Sequence, residues 1–227
     1  MDHPVTSTRS GDGLENSLAD TREPGRELVS SERVWSGPIF AVDADQVRLG
    51  PGQEPVARQV VVHHDAVAVV ALREGEASSQ ADGAAEILMI RQYRHPVRAC
   101  LWEIPAGLLD VEDEEPVVAA QRELAEEADL KAGRWDALVD YFTSPGGSTE
   151  PIRVFLARDL APTGTAFARS DEEAGIEAAW VGLDEAVAAV LDGRIHNPNS
   201  VAGLLAAHAA RAGRWASLRP AASPWFR

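Results

Sequence analysis

The segment that most constrains this chain is an acidic one, GLLDVEDEEPVVAAQRELAEEADL, which spans residues 107–130 and holds nine acidic residues. Its second half predicts an α-helix over residues 116–128. It begins with proline, which suits a first helical turn, and continues with good helix formers. Residues three and four apart share a helix face, so Glu123, Glu126 and Glu127 point to one side. Valine and leucine side chains on the other side can face a hydrophobic core.

This glutamate cluster lowers helix stability and therefore needs an explanation. Glu123 and Glu127 are like charges four residues apart, which costs on the order of 0.2–0.5 kcal/mol in an isolated helix. Negative charge near the end of a helix also opposes its dipole. One interpretation is a solvated acidic face, partly neutralised by Arg122. The other is a metal site, in which oxygen ligands without nearby His or Cys favour Mg²⁺ or Mn²⁺ over Zn²⁺. The spacing alone leaves both open.

The composition is that of a globular chain with its own core. Hydrophobic residues make up 45% of the 227 residues, which allows one large domain or two small ones. The formal net charge of −15 disfavours binding to DNA or RNA, whose phosphates it repels. It also repels a small phosphorylated substrate, unless some carboxylates hold divalent cations that invert the local field.

The sequence predicts a cytoplasmic protein that does not bind membranes. No window approaches about 18 uninterrupted apolar residues, and no basic region followed by an apolar stretch opens the chain. Cys100 is the single cysteine, so an intrachain disulfide is excluded, which suits a reducing compartment. Its apolar neighbours predict a buried thiol.

Short apolar and β-branched segments predict a sheet around the acidic helix. Strands are predicted at residues 34–49, 56–64, 66–72, 86–94, 101–107, 135–144, 152–160 and 178–183. Two later helices are predicted over residues 184–193 and 199–213, the first with an Asp cap and a terminal Gly. This pattern predicts an α+β fold, an α/β/α sandwich around a mixed central sheet.

The chain divides into four predicted parts. Residues 1–28 are polar and rich in charge, which predicts a mostly disordered tail. Residues 29–54 predict a small antiparallel β subdomain that is a candidate for dimerisation. Residues 55–215 form the main domain, and residues 216–227 form a C-terminal tail.

The acidic segment resembles the Nudix box, in which Gly, five residues, Glu and seven residues precede Arg-Glu-aliphatic-any-Glu-Glu-any-Gly-aliphatic. Glu114, seven residues and RELAEEADL (122–130) reproduce all but one fixed position after the glycine. There are two departures. Six residues instead of five separate Gly107 from Glu114, which a loop absorbs at little cost. Asp129 replaces the second glycine, and Asp tolerates a left-handed turn better than most residues.

This resemblance implies a Nudix fold and a hydrolase that uses Mg²⁺ or Mn²⁺ to cleave a nucleoside diphosphate linked to another group. Carried over by position, Glu123 and Glu127 are the main metal ligands. Glu126 and the backbone carbonyl of Ala106 are further ligands, and Glu126 is also a candidate for the catalytic step. Arg122 is implied to orient a box carboxylate through a charge-assisted hydrogen bond.

Downstream of the box, the loop TSPGGSTEP (143–151) is similar to the ADP-ribose pyrophosphatase subgroup of this family. Pro145 lies fifteen residues beyond the end of the box, as a proline does in that subgroup. The resemblance implies that Glu150 is the catalytic base and that Gly146 lets the loop close over a substrate. The alternative is a plain turn with a solvated glutamate.

Upstream of the box, RQYRHPVRACLWEIPAG (91–107) looks like the same subgroup. There Arg94 is implied to bind phosphate, and Glu103 to contact the substrate or the metal shell. Trp35, in the N-terminal hairpin, is implied to stack on adenine, across a dimer. The His-His-Asp run at residues 63–65 could suggest a cluster, but adjacent strand residues point to opposite faces, which favours a structural role.

The resemblance therefore implies Mg²⁺-dependent hydrolysis of ADP-ribose to AMP and ribose 5-phosphate. One alternative is the same chemistry on another nucleotide sugar, such as GDP-mannose or ADP-glucose. The other is a Nudix domain that senses a nucleotide without cleaving it, which the intact glutamates disfavour. The implied partner is a small nucleotide-sugar substrate, and the implied assembly is a homodimer.

Overall fold

A computed structural model of the chain describes residues 18–23, 25–74, 85–164 and 176–227. Within these ranges eleven strands and three α-helices form two sheets and their covering layers. No helix in the described ranges is long and apolar enough to cross a membrane. Residues 1–17, which make up most of the predicted disordered tail, lie outside the described residues.

The N-terminal sheet has three antiparallel strands in the order β1, β2, β3, which confirms the predicted antiparallel sheet. Its strands are β1 Glu27–Ser36, β2 Phe40–Arg48 and β3 Val56–His63. The stretch 34–49 is not one strand, because a turn closed by a hydrogen bond from the Gly37 N–H to the Phe40 carbonyl (2.9 Å) divides it. The ladder between β1 and β2 starts at the Glu27–Arg48 pair, earlier than predicted.

The central sheet is mixed, as predicted, and contains the other eight described strands. They are β4 Ala66–Glu74, β5 Ala85–Arg94, β6 Ala99–Glu103, β7 Ala106–Leu108, β8 Leu130–Phe142, β9 Pro151–Pro162, β10 Glu177–Gly182 and β11 Arg219–Pro220. The order is β10-β5-β4-β9-β8-β11, with β6 beside β5 and β7 beside β4. β4 and β9 are parallel, and the other pairs are antiparallel.

Helices cover both faces of the central sheet, which confirms the α/β/α sandwich. They are α1 Pro116–Ala128, α2 Leu183–Leu191 and α3 Pro198–Ala212. Successive residues of β4 point to opposite faces. Val67 and Val69 pack with Leu124 of α1, whereas Ala68 and Val70 pack with α2 and α3. Because it is covered on both faces, β4 is apolar at nearly every position and fixes α1 over the middle of the sheet.

The loop of residues 143–150, which joins β8 to β9, connects the two sheets. The Val61 N–H of β3 donates to the carbonyl of Gly147 (2.8 Å), and the Val61 carbonyl accepts from the Thr149 N–H (3.0 Å). These two bonds extend the ladder of the N-terminal sheet into the loop. The position of Glu150 is therefore tied to β3 as well as to the central sheet.

Residues 216–227, predicted as a tail, pack along the edge of the central sheet. β11 pairs with β8, and the guanidinium of Arg153, which is 2% exposed, lies beneath the segment that follows. Arg153 donates to the carbonyls of Ser223 (2.7 Å) and Pro224 (3.0 Å), and makes a two-bond ion pair with Asp140 (2.8 and 2.9 Å). A buried charge thus anchors this segment to β9.

Candidate active site

Both ends of α1 follow from the sequence. Pro116 occupies the first turn, after an N-cap residue, Glu115, with an extended backbone. At the other end Asp129 adopts φ 54° and ψ 31°, and its N–H lies against the carbonyls of Leu124 and Ala125. Asp129 therefore closes the helix in the left-handed conformation predicted for it, in place of glycine.

Arg122 lies at the centre of the acidic cluster. Its guanidinium donates to both oxygens of Glu114 (3.1 and 3.2 Å), to Glu123 (2.6 Å) and to Glu126 (3.3 Å). A weaker contact reaches the carbonyl of Leu108 (3.4 Å). Because Glu114 belongs to the loop before α1, these charge-assisted bonds tie that loop to the helix and orient the carboxylates around one cation.

Glu123 and Glu127 are the buried members of the cluster, at 9% and 6% exposure. The Ala106 N–H donates to Oε2 of Glu127 (3.0 Å), which places β7 beside the carboxylate. A Cβ built on Gly107 would lie 2.0 Å from the Glu123 carboxyl carbon, so any other residue here would force this side chain to move. Two buried carboxylates thus converge on the backbone of β7. Such a donor set suits a hard divalent cation.

Glu123 ionises less readily than an exposed glutamate. Burial raises the pKa of the Glu123 carboxyl above its ordinary value, and the charges of Glu126 and Asp110 act in the same direction, whereas Arg122 opposes them. In the described parts of the chain, no three His, Cys, Asp or Glu side chains are grouped closely enough to hold a metal ion as they stand. The ion pairs of Arg122 hold Glu123 and Glu126, so metal binding requires these side chains to rearrange.

A second cluster surrounds Glu150. The Thr143 hydroxyl donates to its Oε2 (2.8 Å), and Nδ1 of His63 lies 3.3 Å from its Oε1. His63 is the last residue of β3 and was predicted to be structural, because adjacent strand residues point to opposite faces and residues 63–65 could not form one cluster. The structure brings it to the proposed base across the two sheets. Pro145 and Gly146 are exposed in the same loop.

Arg94 and Glu103 form a third cluster, on the paired strands β5 and β6. The two side chains make a bidentate ion pair (2.9 and 2.7 Å), and Glu103 is 1% exposed. Gln92 also approaches Glu103 (3.4 Å). The predicted phosphate ligand and the predicted substrate contact are thus partners of one another. The buried carboxylate holds the half-exposed guanidinium in a fixed position.

A cavity of about 850 Å³ lies between the N-terminal sheet and β5. Its lining includes Phe40, His63, Arg91, Tyr93 and Arg94. Aromatic rings and cationic side chains together suit a ligand with a flat base and phosphate groups. Four of these residues were not predicted as site residues, although RQYR places two arginines and an aromatic ring on one strand.

Trp35 lies in the N-terminal hairpin, as expected, whereas Cys100 is not buried as predicted. Trp35 is 49% exposed and packs against Phe40, with ring centroids 4.9 Å apart, so it reaches the cavity through Phe40 rather than as a lining residue. Cys100 was predicted to be buried but is exposed, because β6 lies at the edge of the sheet beside β5. Cys100 is among the residues that line the same cavity.

The sequence and the fold both match known proteins. A family model described as the NUDIX domain matches residues 62–202. An ADP-ribose pyrophosphatase of Mycobacterium tuberculosis is 45% identical over 200 residues, which cover 88% of this chain and 91% of that protein. The methanol dehydrogenase activator of Bacillus methanolicus is 33% identical, over 77% of this chain and 88% of its own length. A crystal structure of an ADP compounds hydrolase shares the fold, with a TM-score of 0.68 at 19% identity, covering 86% of this chain and 98% of that chain.

Proposed function

The chain belongs to the Nudix hydrolase family, and we propose that it hydrolyses the diphosphate of ADP-ribose to AMP and ribose 5-phosphate. The observation that carries this proposal is the convergence of buried Glu123 and Glu127 on the backbone of Ala106 and Gly107. Burying two like charges lowers stability unless a bound cation neutralises them, which favours a metal-dependent hydrolase. The identity to an ADP-ribose pyrophosphatase over most of both chains supports the choice of substrate.

Nudix hydrolases generally need a divalent metal ion, and we assign Mg²⁺, or Mn²⁺ in its place, to the acidic cluster. The ligands are Glu123, Glu127, Glu126 and the backbone carbonyl of Ala106. When bound, the ions screen the diphosphate charge, polarise a phosphorus-bound oxygen and lower the pKa of a water molecule. Arg122 shares its guanidinium between Glu123 and Glu126, and metal binding would draw these two carboxylates away from it.

Glu150 is the proposed general base. Its carboxylate takes a proton from the attacking water, and the loop that holds it is anchored to β3. Gly146, next to Pro145 in this loop, meets nothing within 4 Å at its Cβ position and has room to move when a substrate enters. Glu126, at the exposed edge of the acidic cluster, is the second candidate for the base.

The cavity beside the N-terminal sheet is the proposed substrate site. Arg94, held by Glu103, is positioned to bind a phosphate, and the rings of Phe40 and Tyr93 offer faces for adenine. The cation supplied by Arg94 matters because the chain as a whole carries a formal charge of −15 and repels anions.

The proposed assembly is a homodimer formed through the N-terminal sheet. β1 is exposed along its whole length, and it pairs with one strand, β2, among the described residues. Large apolar side chains on it are exposed, namely Leu28, Val29, Val34 and Trp35. An open edge strand with exposed apolar side chains is a favourable surface for association with another chain. In the proposed dimer a second copy buries this surface and brings its Trp35 toward the adenine bound by its partner. Light scattering gives the mass directly; a monomer at micromolar concentration would exclude this assembly.

A substrate panel tests the activity. Purified protein with Mg²⁺ should release AMP from ADP-ribose with a kcat/KM above that for GDP-mannose and ADP-glucose. A preference for either of the other two would keep the chemistry and change the assigned substrate. Stabilisation by ADP-ribose without any turnover, across several divalent ions, would instead indicate a sensor domain. The cytoplasmic location predicted from the single cysteine stays a prediction.

A further inference from the structure

We propose that Thr143 and His63 are positioning residues for Glu150, each holding one oxygen of its carboxylate so that the base has a single orientation. This inference rests on the proposed role of Glu150 as the general base. It goes beyond that role because the rate of the chemical step then depends on two further side chains, which act through Glu150 and do not touch the reacting atoms.

Thr143 holds the carboxylate from the opposite end of the loop. Thr143 and Glu150 are the first and last residues of the loop, and the Thr143 N–H donates to the Glu150 carbonyl (3.1 Å). The Thr143 hydroxyl then donates to Oε2 of Glu150 (2.8 Å), the shorter of the two side-chain contacts. Because the backbones of Thr143 and Glu150 are already paired, the Thr143 hydroxyl is held in place and can orient the carboxylate.

His63 holds the other oxygen from the N-terminal sheet. Its Nδ1 lies 2.9 Å from the carbonyl of His64 and 3.3 Å from Oε1 of Glu150. The His64 carbonyl can only accept, so Nδ1 carries a proton and donates its hydrogen bond there, with Oε1 of Glu150 as the more distant oxygen facing the same N–H. The imidazole is stacked on Phe40 (centroids 6.5 Å apart, interplanar angle 17°), which limits its rotation. The His63 N–H is bonded to the hydroxyl of Thr149 (3.0 Å).

Two donors leave the carboxylate able to act as a base. An ionised carboxylate has about four lone-pair sites, so one donor on each oxygen leaves a further site on each for a water proton. The last torsion angle of a glutamate side chain takes a broad range of values, and a contact on each oxygen narrows that range. The nearby phenol of Tyr141 does not compete, because its hydroxyl is bonded to Asn199. Burial and then the charge of Glu150 raise the pKa of that phenol, which keeps it neutral.

The first test removes the Thr143 hydroxyl without changing the shape of the side chain. Thr143→Val should lower kcat for ADP-ribose by about tenfold to a hundredfold, the effect of misplacing a catalytic group by up to 1 Å, with little change in KM. Thr143→Ser keeps the hydroxyl and should restore most of kcat. Thr149→Val is the matched control, because that hydroxyl contacts the backbone of His63 and not the carboxylate. Equal losses of kcat in Thr143→Val and Thr149→Val would assign the effect to loop anchoring and overturn the proposal.

The second test separates the ring of His63 from its donor. His63→Phe keeps an aromatic ring against Phe40 and loses the N–H, so kcat should fall. His63→Asn loses the ring but places an amide donor near the position of Nδ1, so kcat should recover in part. The opposite order would show that packing matters and the donor does not. A rise in kcat in Thr143→Val or His63→Phe would mean that the contacts restrain Glu150 in an inactive position, which also overturns the proposal.

Glu150→Gln distinguishes a failure of this inference from a failure of the proposed function. If Glu150→Gln retains full kcat, Glu150 is not the base and the function proposal loses its assignment. If Glu150→Gln loses most of its kcat while Thr143→Val and His63→Phe keep theirs, the base is correct and the positioning is wrong. Melting temperatures of all variants show whether each is folded.

Discussion

Gly107 lies directly against the carboxylate of Glu123, so that a Cβ at position 107 would come within 2.0 Å of the carboxyl carbon. The Nudix box thus begins with a glycine for a steric reason. β7 passes so close to α1 that the Glu123 carboxylate fills the space over Gly107. The same approach brings the Ala106 N–H within 3.0 Å of Glu127, so one short strand positions both buried glutamates.

We predict that Gly107→Ala displaces Glu123 and lowers kcat/KM by roughly a hundredfold, because misplacing a catalytic ligand by about 1 Å has an effect of that size. Titration with Mg²⁺ in a calorimeter should show weaker binding than in the wild type. Gly182→Ala is the matched control, since a Cβ there meets nothing closer than 3.9 Å. Unchanged Mg²⁺ affinity in Gly107→Ala would remove Glu123 from the ligand set.

We predict that Glu127→Gln loses most of the activity but folds as well as the wild type or better. The substitution relieves like-charge repulsion on α1, and its amide oxygen can still accept from the Ala106 N–H. Denaturation with and without saturating Mg²⁺ is the measurement, because an ion that binds the folded state alone stabilises it by about 2.7 kcal/mol at 100 times its Kd. That increment should be absent in Glu127→Gln and present in Glu112→Gln, a substitution of an exposed glutamate. Full activity in Glu127→Gln would contradict the metal assignment.

We predict an opposite pH dependence of stability with and without the metal. Because burial raises the pKa of Glu123, the folded state binds more protons than the unfolded state over an interval of pH. With a chelator present, the stabilisation from this group is complete below the unfolded pKa of about 4.3 and is lost as the pH rises through the higher folded pKa. With Mg²⁺, which binds the ionised carboxylate, stabilisation should increase over the same interval. Denaturation curves from pH 4 to 8 measure both trends, and Glu123→Gln should show neither. A trend that persists in Glu123→Gln would exclude Glu123 as its source.

The sequence was sufficient where the structure depends on local chemistry. Residues 116–128 were predicted as the acidic helix and have those bounds in α1, because proline at the start and a residue able to adopt positive φ at the end are local signals. Asp129 closes the helix with φ 54° for the same reason. The mixed sheet between two helical layers was also predictable, because buried strands are apolar on both faces.

The contacts between distant parts of the chain were not predictable. Strand alternation shows which face His63 lies on, but not that the loop ending in Glu150 crosses the end of β3. The open edge of β6 exposes Cys100 although its sequence neighbours are apolar. The segment after Trp215 contains the two-residue strand β11, which is too short for a periodic signal, and its anchor is a charge on another strand.

That anchor, Arg153, gives a prediction about stability that does not depend on the active site. Arg153→Met should lower the free energy of unfolding by about 3 kcal/mol, since removing one partner of a buried ion pair leaves the other charge uncompensated. Arg219, which also bonds Asp140 (2.9 Å), is 40% exposed, so Arg219→Met should cost less than about 1 kcal/mol. Urea denaturation of both variants measures the difference, and equal costs would show that burial of Arg153 is not what anchors the segment.

The ion pair between Arg153 and Asp140 should also contribute to the stability of the fold at low pH. Burial alone would raise the pKa of Asp140, but the hydrogen bonds and charges of Arg153 and Arg219 outweigh it and lower that pKa below its ordinary value. A carboxyl whose folded pKa is lowered stabilises the fold above its unfolded pKa of about 3.9, and this stabilisation is lost as the pH falls through the folded pKa. Asp140→Asn should therefore lose stability at neutral pH and lose less on acidification than the wild type. Parallel acid unfolding curves of the two proteins would show that Asp140 is not one of the groups responsible.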